Sequence, residues 1–322
     1  MKIIISEFMD AAAVNQLRGR YDVHYDAGLV DRPDDLRLAI ADADALIVRN
    51  RTQVTADLLA AAPALKAVGR LGVGLDNIDV QACGERGIQV LPATGANALA
   101  VAEYVIGVSM VLLRGGYMAS SEVAAGSWPR ARLSEGRETG GKLLGLVGFG
   151  GIGRLTAGLA RGLGMSVCAY DPALADTSEV WRETGVRPAP LEELVAMADV
   201  VSLHVPLVEA TRGLFDATMI ARMKQGAILV NTARGGIVDE AALASALREG
   251  RIGGAALDVF QDEPLASGNP FPTLPNLILS PHIAGVTAES NQRVSQLIAD
   301  RVDACLSAAG RPDQSQSAAA AT

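Results

Sequence analysis

Short apolar runs rich in β-branched residues alternate with helical patterns along the whole chain. Ile3–Ile5, Ala45–Val48, Lys66–Gly69 and Ile88–Leu91 read as the strands of a first unit. Leu143–Val147, Ser166–Tyr170, Val200–His204, Ala227–Asn231, Gly254–Val259 and Leu277–Leu279 read as the strands of a second. Continuous apolar runs bounded by glycine and joined by helices mark strands buried on both faces, the pattern of parallel βαβ units. The expected fold is α/β, with two Rossmann-like domains built on parallel sheets. The most apolar stretch, residues 98–113, contains Glu103 and is too short to span a bilayer comfortably, so it reads as a buried helix with Asn97 as its N-cap. Residues 286–306 repeat apolar positions at helical spacing (Val294, Leu297, Ile298, Val302, Leu306) and would return the chain to the first unit. The second domain, residues 99–285, is therefore expected as an insertion into a discontinuous first domain made of residues 1–98 and 286–322. The last dozen residues, rich in Ala, Ser and Gln, read as a frayed tail.

Composition narrows the functional classes. Hydrophobic residues make up 49% and charged residues 20%, which is globular rather than disordered. The net charge is −8 and no lysine- or arginine-rich run occurs, which argues against a nucleic-acid surface. Cys83, Cys168 and Cys305 are odd in number and far apart. They suit neither a disulfide framework nor a metal site and point to a reducing cytoplasm. Glu7 and Asp10 interrupt any secretory core at the N-terminus, so the opening residues read as a strand rather than a signal peptide, and no membrane association is expected.

The segment Leu144-Gly145-Leu146-Val147-Gly148-Phe149-Gly150-Gly151-Ile152-Gly153 carries a dinucleotide fingerprint between a predicted strand and a helix predicted over 154–163. Gly148 would permit the tight turn, Gly150 the approach of a pyrophosphate, and Gly153 close packing of helix on strand. The N–H groups of Gly151 and Ile152 would face the pyrophosphate at the positive helix end. Asp171 ends the next strand at the position where an acid accepts the ribose hydroxyls of NAD and repels the 2′-phosphate of NADP. No base stands in Pro172-Ala173-Leu174-Ala175. The plainer reading of Asp171 is a turn residue before proline.

The chain has only three histidines. His24 alternates with Val23 and reads as a surface strand residue. His204 ends a strand, where it either lines the nicotinamide half of a crevice or bonds to backbone. His282 follows the last predicted strand in Ser280-Pro281-His282-Ile283-Ala284-Gly285. Oxidising an alcohol to a ketone requires a base for the hydroxyl proton. It also calls for an acid that orients this base, and a cation that polarises the oxygen and grips a carboxylate. His282, Glu263 and Arg234, each after a predicted strand, fit these roles. The plainer reading of Glu263 is a solvated loop acid before Pro264.

Six segments carry a family resemblance: GRLGVGLDNID (69–79), GLVGFGGIG (145–153), LHVPL (203–207), NTARGGIVDE (231–240), AALDVFQDEP (255–264) and SPHIAG (280–285). The chain resembles the NAD-dependent D-2-hydroxyacid dehydrogenases over residues 1 to about 308, and most of all their 3-phosphoglycerate dehydrogenase branch. The resemblance implies a catalytic Arg234, Glu263 and His282. It implies NAD contacts at Gly151, Ile152, Asp171, His204, Val205, Pro206, Thr211, Thr232, Ala233, Asp258, His282 and Gly285. It further implies an active site in the cleft between two domains, and homodimers built around the nucleotide-binding domain. Two departures stand out. Gly151 occupies a position that often carries arginine or histidine in the family, so pyrophosphate binding should rely on backbone. The regulatory C-terminal domain of some phosphoglycerate dehydrogenases is not expected, nor is feedback by serine.

The substrate is expected to be a small anionic 2-hydroxy or 2-oxo acid. The N–H groups of Val73 and Gly74 would bind its carboxylate, as similar loops do in the family. Arg49 and Arg51 suggest a second anionic group, as in 3-phosphoglycerate or 3-sulfolactate. If these arginines point to solvent or pack structurally, glyoxylate or hydroxypyruvate becomes the better expectation. A non-catalytic NADH-responsive binding protein is a second class of reading, and the intact Arg, Glu and His set argues against it.

Overall fold

The computed structural model describes residues 1–274 and 276–309. The chain divides into two compact units: Met1–Asn97 together with the chain from Val286, and Ala98–Gly285.

The first unit holds five parallel strands: β1 (Lys2–Ile5), β2 (Asp22–Tyr25), β3 (Ala45–Val48), β4 (Ala67–Arg70) and β5 (Gln89–Pro92). Their order is β2-β1-β3-β4-β5, the flavodoxin-like arrangement. Alternate residues enter opposite layers, as strand geometry requires. Ile3, Ile5 and Ile47 pack with Val294, Ile298 and Val302 on one face, while Ile4, Leu46 and Val68 join Leu36, Ile40 and Leu59 on the other. The Ala288–Ala309 helix lies so close to β4 that a Cβ on Gly69 would stand 2.8 Å from Ile298.

The second unit holds seven parallel strands: β6 (Leu143–Val147), β7 (Ser166–Tyr170), β8 (Arg187–Pro188), β9 (Val200–Leu203), β10 (Ile228–Asn231), β11 (Gly254–Leu257) and β12 (Leu277–Leu279). Their order, β12-β11-β10-β9-β6-β7-β8, is that of a dinucleotide-binding sheet extended by one strand. Both faces are covered. Val147, Val201, Leu203 and Leu229 lie in one apolar layer, and Leu144, Leu146, Val200 and Val230 in the other. The Ala98–Arg114 helix covers the second layer through Val105, Val108 and Leu112.

The structure departs from the expected elements in a few places. β2 is absent from the strands expected from continuous apolar runs, because it is an edge strand whose residues alternate between exposed and half-buried; His24 is exposed on it. β8 has two residues, too few to show a period. The helix after the glycine motif begins at Gly151 rather than at residue 154. Asn97 directly precedes its helix, but its buried Oδ1 has no hydrogen-bond partner, so the expected side-chain cap is not made. Among the described residues no single helix is long and apolar enough to cross a membrane. The final segment read above as a frayed tail lies outside the described residues.

Candidate active site

In an open parallel sheet, ligands bind beyond the carboxyl ends of the strands where the strand order reverses. In the second unit that point lies between β6 and β9, so the loops after Val147 and Leu203 meet there. The N–H of His204 donates to the Val147 carbonyl at 2.7 Å. Gly148 has φ +99°, and a Cβ on it would stand 2.7 Å from the His204 backbone. A Cβ on Gly153 would stand 2.6 Å from the Gly148 carbonyl oxygen. These two positions therefore require glycine for close packing. Gly150 and Gly151 differ: nothing lies within 4 Å of where their Cβ atoms would be. Gly150 caps the Gly151–Gly162 helix without a side-chain bond. The first N–H groups of that helix, Gly151 and Ile152, thus carry the positive helix end with no side chain in front of them.

Other expected cofactor residues surround this end of the sheet. Asp171, just after β7, accepts from the N–H of Phe149 at 2.8 Å and of Ala173 at 3.0 Å, which braces its carboxylate against the glycine turn. Thr232 follows β10, and its buried Oγ1 has no partner, an orphaned polar group of the kind a ligand satisfies. His204 Nε2 lies 3.0 Å from Ser202 Oγ, so its ring bonds to a side chain rather than to backbone. Burial pushes the His204 imidazole down to about 4, which keeps it neutral near pH 7. Val205 is buried in the core, and Pro206 is exposed beside it. The Thr211 hydroxyl closes the loop by bonding to the Pro206 carbonyl at 2.6 Å. Open space at the glycines, the uncapped helix end, the braced Asp171 and the orphaned Thr232 hydroxyl together fit a dinucleotide.

The loops after β10, β11 and β12 gather the remaining groups of this unit. Asn231 shapes the Arg234 turn: its Oδ1 accepts from the Ala233 N–H at 3.0 Å and its Nδ2 donates to the Arg234 carbonyl at 2.9 Å. Gly235 must lack a side chain, because a Cβ there would stand 1.7 Å from the Phe260 carbonyl oxygen. The Arg234 turn therefore lies directly on the loop that carries Glu263. Glu263 Oε1 accepts from the Phe260 N–H at 3.0 Å, and Oε2 is 2.8 Å from His282 Nδ1. A carboxylate only accepts, so Nδ1 carries the proton and the neutral ring presents its lone pair at Nε2. His282 has φ +56°, a left-handed conformation that costs a non-glycine residue about 1–3 kcal/mol and recurs at functional sites. Buried Asp258 holds this turn by accepting from the N–H groups of Ile283 and Ala284 and from the Ser280 hydroxyl. Gly285 closes the segment. Ser280 stood in the SPHIAG motif with no role assigned, and the Tyr104 hydroxyl that touches it had no sequence signal, since Tyr104 lies 176 residues earlier.

In the first unit the strand order reverses between β1 and β3. Buried Glu7, after β1, accepts from the backbone N–H groups of Arg49, Arg51 and Thr52, at 2.8, 3.1 and 2.9 Å. The two arginines have different surroundings. Arg51 forms an exposed ion pair with Asp31. Arg49 is half-buried, lies 5.9 Å over the Phe8 ring and donates to Asn291 Oδ1 at 2.8 Å. The N–H groups of Val73 and Gly74 make no hydrogen bond within the described residues.

Fold and site together define a nucleotide-dependent dehydrogenase. Residues 106–284 match the profile of the D-isomer specific 2-hydroxyacid dehydrogenase NAD-binding domain. The chain is 54% identical over 300 residues to the (S)-sulfolactate dehydrogenase of Chromohalobacter salexigens, covering 93% of this chain and 96% of that protein. It is 40% identical over 303 residues to the D-3-phosphoglycerate dehydrogenase of Methanocaldococcus jannaschii, covering 94% of this chain but 57% of that longer protein. A solved protein structure from Thermus thermophilus superposes with a TM-score of 0.87 at 32% identity, covering 96% of this chain and 97% of that one. The chain belongs to the D-isomer specific 2-hydroxyacid dehydrogenase family, in its phosphoglycerate dehydrogenase-like branch. It is an NAD-dependent enzyme acting on a small hydroxy or oxo acid.

Proposed function

We propose that the enzyme interconverts a 2-hydroxy acid bearing a second anionic group, with a sulfonate such as 3-sulfolactate favoured, and its 2-oxo acid, using His282 as acid/base. The observation that carries the mechanism is the 2.8 Å bond from His282 Nδ1 to Glu263, which leaves Nε2 free to take a proton. Bound NAD supplies the hydride acceptor. Nε2 of His282 takes the hydroxyl proton as the carbon–hydrogen bond breaks, and the imidazolium that forms is held by Glu263. Arg234 polarises the oxygen that becomes the carbonyl and binds the carboxylate. In the reverse direction His282 returns the proton.

The remaining site roles form part of the same proposal. The cofactor pyrophosphate lies on the N–H groups of Gly151 and Ile152, its ribose on Asp171, and its nicotinamide half among His204, Val205, Pro206, Thr232, Ala233, Asp258 and Gly285. Thr211 closes the loop over it. The N–H groups of Val73 and Gly74 bind the substrate carboxylate. Arg49 binds the second anion, supported by its half-buried place over Phe8 and by the likeness to the sulfolactate enzyme. Arg51 has a secondary part, because Asp31 already occupies it.

The enzyme forms a homodimer through the second unit. Ile106, Leu155, Leu159 and Leu163 leave an apolar face on two packed helices, and elsewhere in the same unit Trp128 is 78% exposed. Burying such a face in a second copy is the usual reason for its exposure. Three free cysteines suit a cytoplasmic location. The deciding experiment follows NADH formation with 3-sulfolactate, 3-phosphoglycerate, glycerate and lactate. Selective turnover of a doubly anionic acid is expected. Equal or better turnover of the neutral-tailed acids would overturn the second-anion assignment, and no turnover of any would favour a binding protein.

A further inference from the structure

The left-handed turn that carries His282 is held in place by Asp258. Three donors converge on the buried Asp258 carboxylate. Oδ1 accepts from the Ser280 hydroxyl at 2.6 Å and the Ile283 N–H at 2.8 Å, and Oδ2 accepts from the Ala284 N–H at 2.7 Å. The Ser280 hydroxyl has one proton and gives it to Asp258. Its 2.5 Å contact with the Tyr104 hydroxyl therefore has a fixed sense, with Tyr104 donating to Ser280 Oγ. Tyr104 stands on the Ala98–Arg114 helix, which the sheet grips through Val105, Val108 and Leu112. Burial pushes the Tyr104 phenol above its ordinary range, and the Asp258 charge acts in the same direction, so the donor keeps its proton.

We propose that Tyr104 is a positioning residue for proton transfer: through Ser280 and Asp258 it fixes the turn that presents the His282 imidazole. This rests on the acid/base reading of His282. A directed chain of hydrogen bonds polarises each member in turn and restricts how the carboxylate can rotate. Without the Tyr104 donor, Ser280 can rotate away and Asp258 loses one of its three anchors. Neither hydroxyl has another duty among the described residues: Tyr104 Oη touches Ser280, and Ser280 Oγ touches Tyr104 and Asp258.

The test uses the full-length protein with Tyr104→Phe, Ser280→Ala and the double variant. Turnover is normalised to NADH-binding sites found by fluorescence titration, with thermal unfolding measured alongside. Tyr104→Phe keeps the ring and its packing, and a lost neutral hydrogen bond predicts a fall in kcat of roughly 3- to 10-fold, larger than any change in NADH affinity. Ser280→Ala also removes a bond to a charged group and should cost roughly 10- to 100-fold. Because Tyr104 acts through Ser280, the double variant should be no slower than Ser280→Ala alone, whereas independent structural effects would multiply. Ser280→Thr should recover turnover that Ser280→Val does not. Wild-type kcat in Tyr104→Phe, or multiplied losses in the double variant, overturns the proposal. His282→Ala separates the two levels. If it retains most of its turnover, the acid/base reading falls and this inference with it. If it is inactive while Tyr104→Phe is normal, only the positioning role falls.

Discussion

Replacing Glu263 by glutamine changes one atom and should reverse the tautomer of His282. The two carboxylate oxygens have separate duties: Oε1 accepts from the Phe260 N–H at 3.0 Å, and Oε2 accepts from His282 Nδ1 at 2.8 Å. In Glu263→Gln the Phe260 N–H still needs an acceptor, so the amide oxygen faces Phe260 and the amide nitrogen faces His282. Nδ1 must then accept, the ring proton moves to Nε2, and the lone pair that takes the substrate proton is gone. Rotating the amide restores the tautomer but sets two donors face to face at Phe260, which costs about 1–3 kcal/mol. At 1.4 kcal/mol per tenfold, kcat should fall roughly 5- to 100-fold. The side chains of His282 and Glu263 are 42% and 34% exposed, and this access to water favours the lower half of that range. The assay is steady-state NADH formation with the best 2-hydroxy acid, beside NADH fluorescence titration and thermal unfolding. A variant that binds NADH normally and retains kcat within about twofold would refute the assignment of Glu263 as the orienting acid.

Asp171→Asn keeps an acceptor for the Phe149 N–H but loses the charge; NAD affinity should drop roughly tenfold and the preference over NADP narrow, measured as Kd for both cofactors. Arg49→Ala should raise KM for 3-sulfolactate roughly 10- to 100-fold more than for lactate, while Arg51→Ala, whose guanidinium Asp31 already holds, should change both little; equal effects on all acids would remove the second-anion role. The neutral His204 ring makes stability depend on pH. Its folded value of about 4 lies below the ordinary 6.5, so the unfolded chain takes up a proton that the folded chain refuses as pH falls between them. Up to about 3 kcal/mol should be lost by pH 4, and His204→Asn should flatten that part of the thermal-unfolding profile; identical pH slopes would contradict it.

The class of fold and the enzyme class were legible in the residues alone. Ten strands announced themselves as apolar runs, most of them because a parallel strand covered on both faces needs few polar residues. Gly148, Gly150 and Gly153 were legible for a related reason: close backbone approach tolerates only glycine, and the clearances at Gly148 and Gly153 bear this out. The scarcity of histidine made His282 conspicuous. Local pattern carried less where an element was short or exposed. Edge strand β2 and two-residue β8 gave no continuous run, and Asn97 had the right position for a cap whose bond is not formed. Which of two neighbouring arginines is held by a surface acid depends on packing, since Asp31 reaches Arg51 from an earlier segment and Asn291 reaches Arg49 from the far end of the chain. Packing alone brought the Tyr104 hydroxyl to Ser280. A hydrogen bond across 176 residues depends on how a helix seats on a sheet, and nothing in residue spacing encodes that.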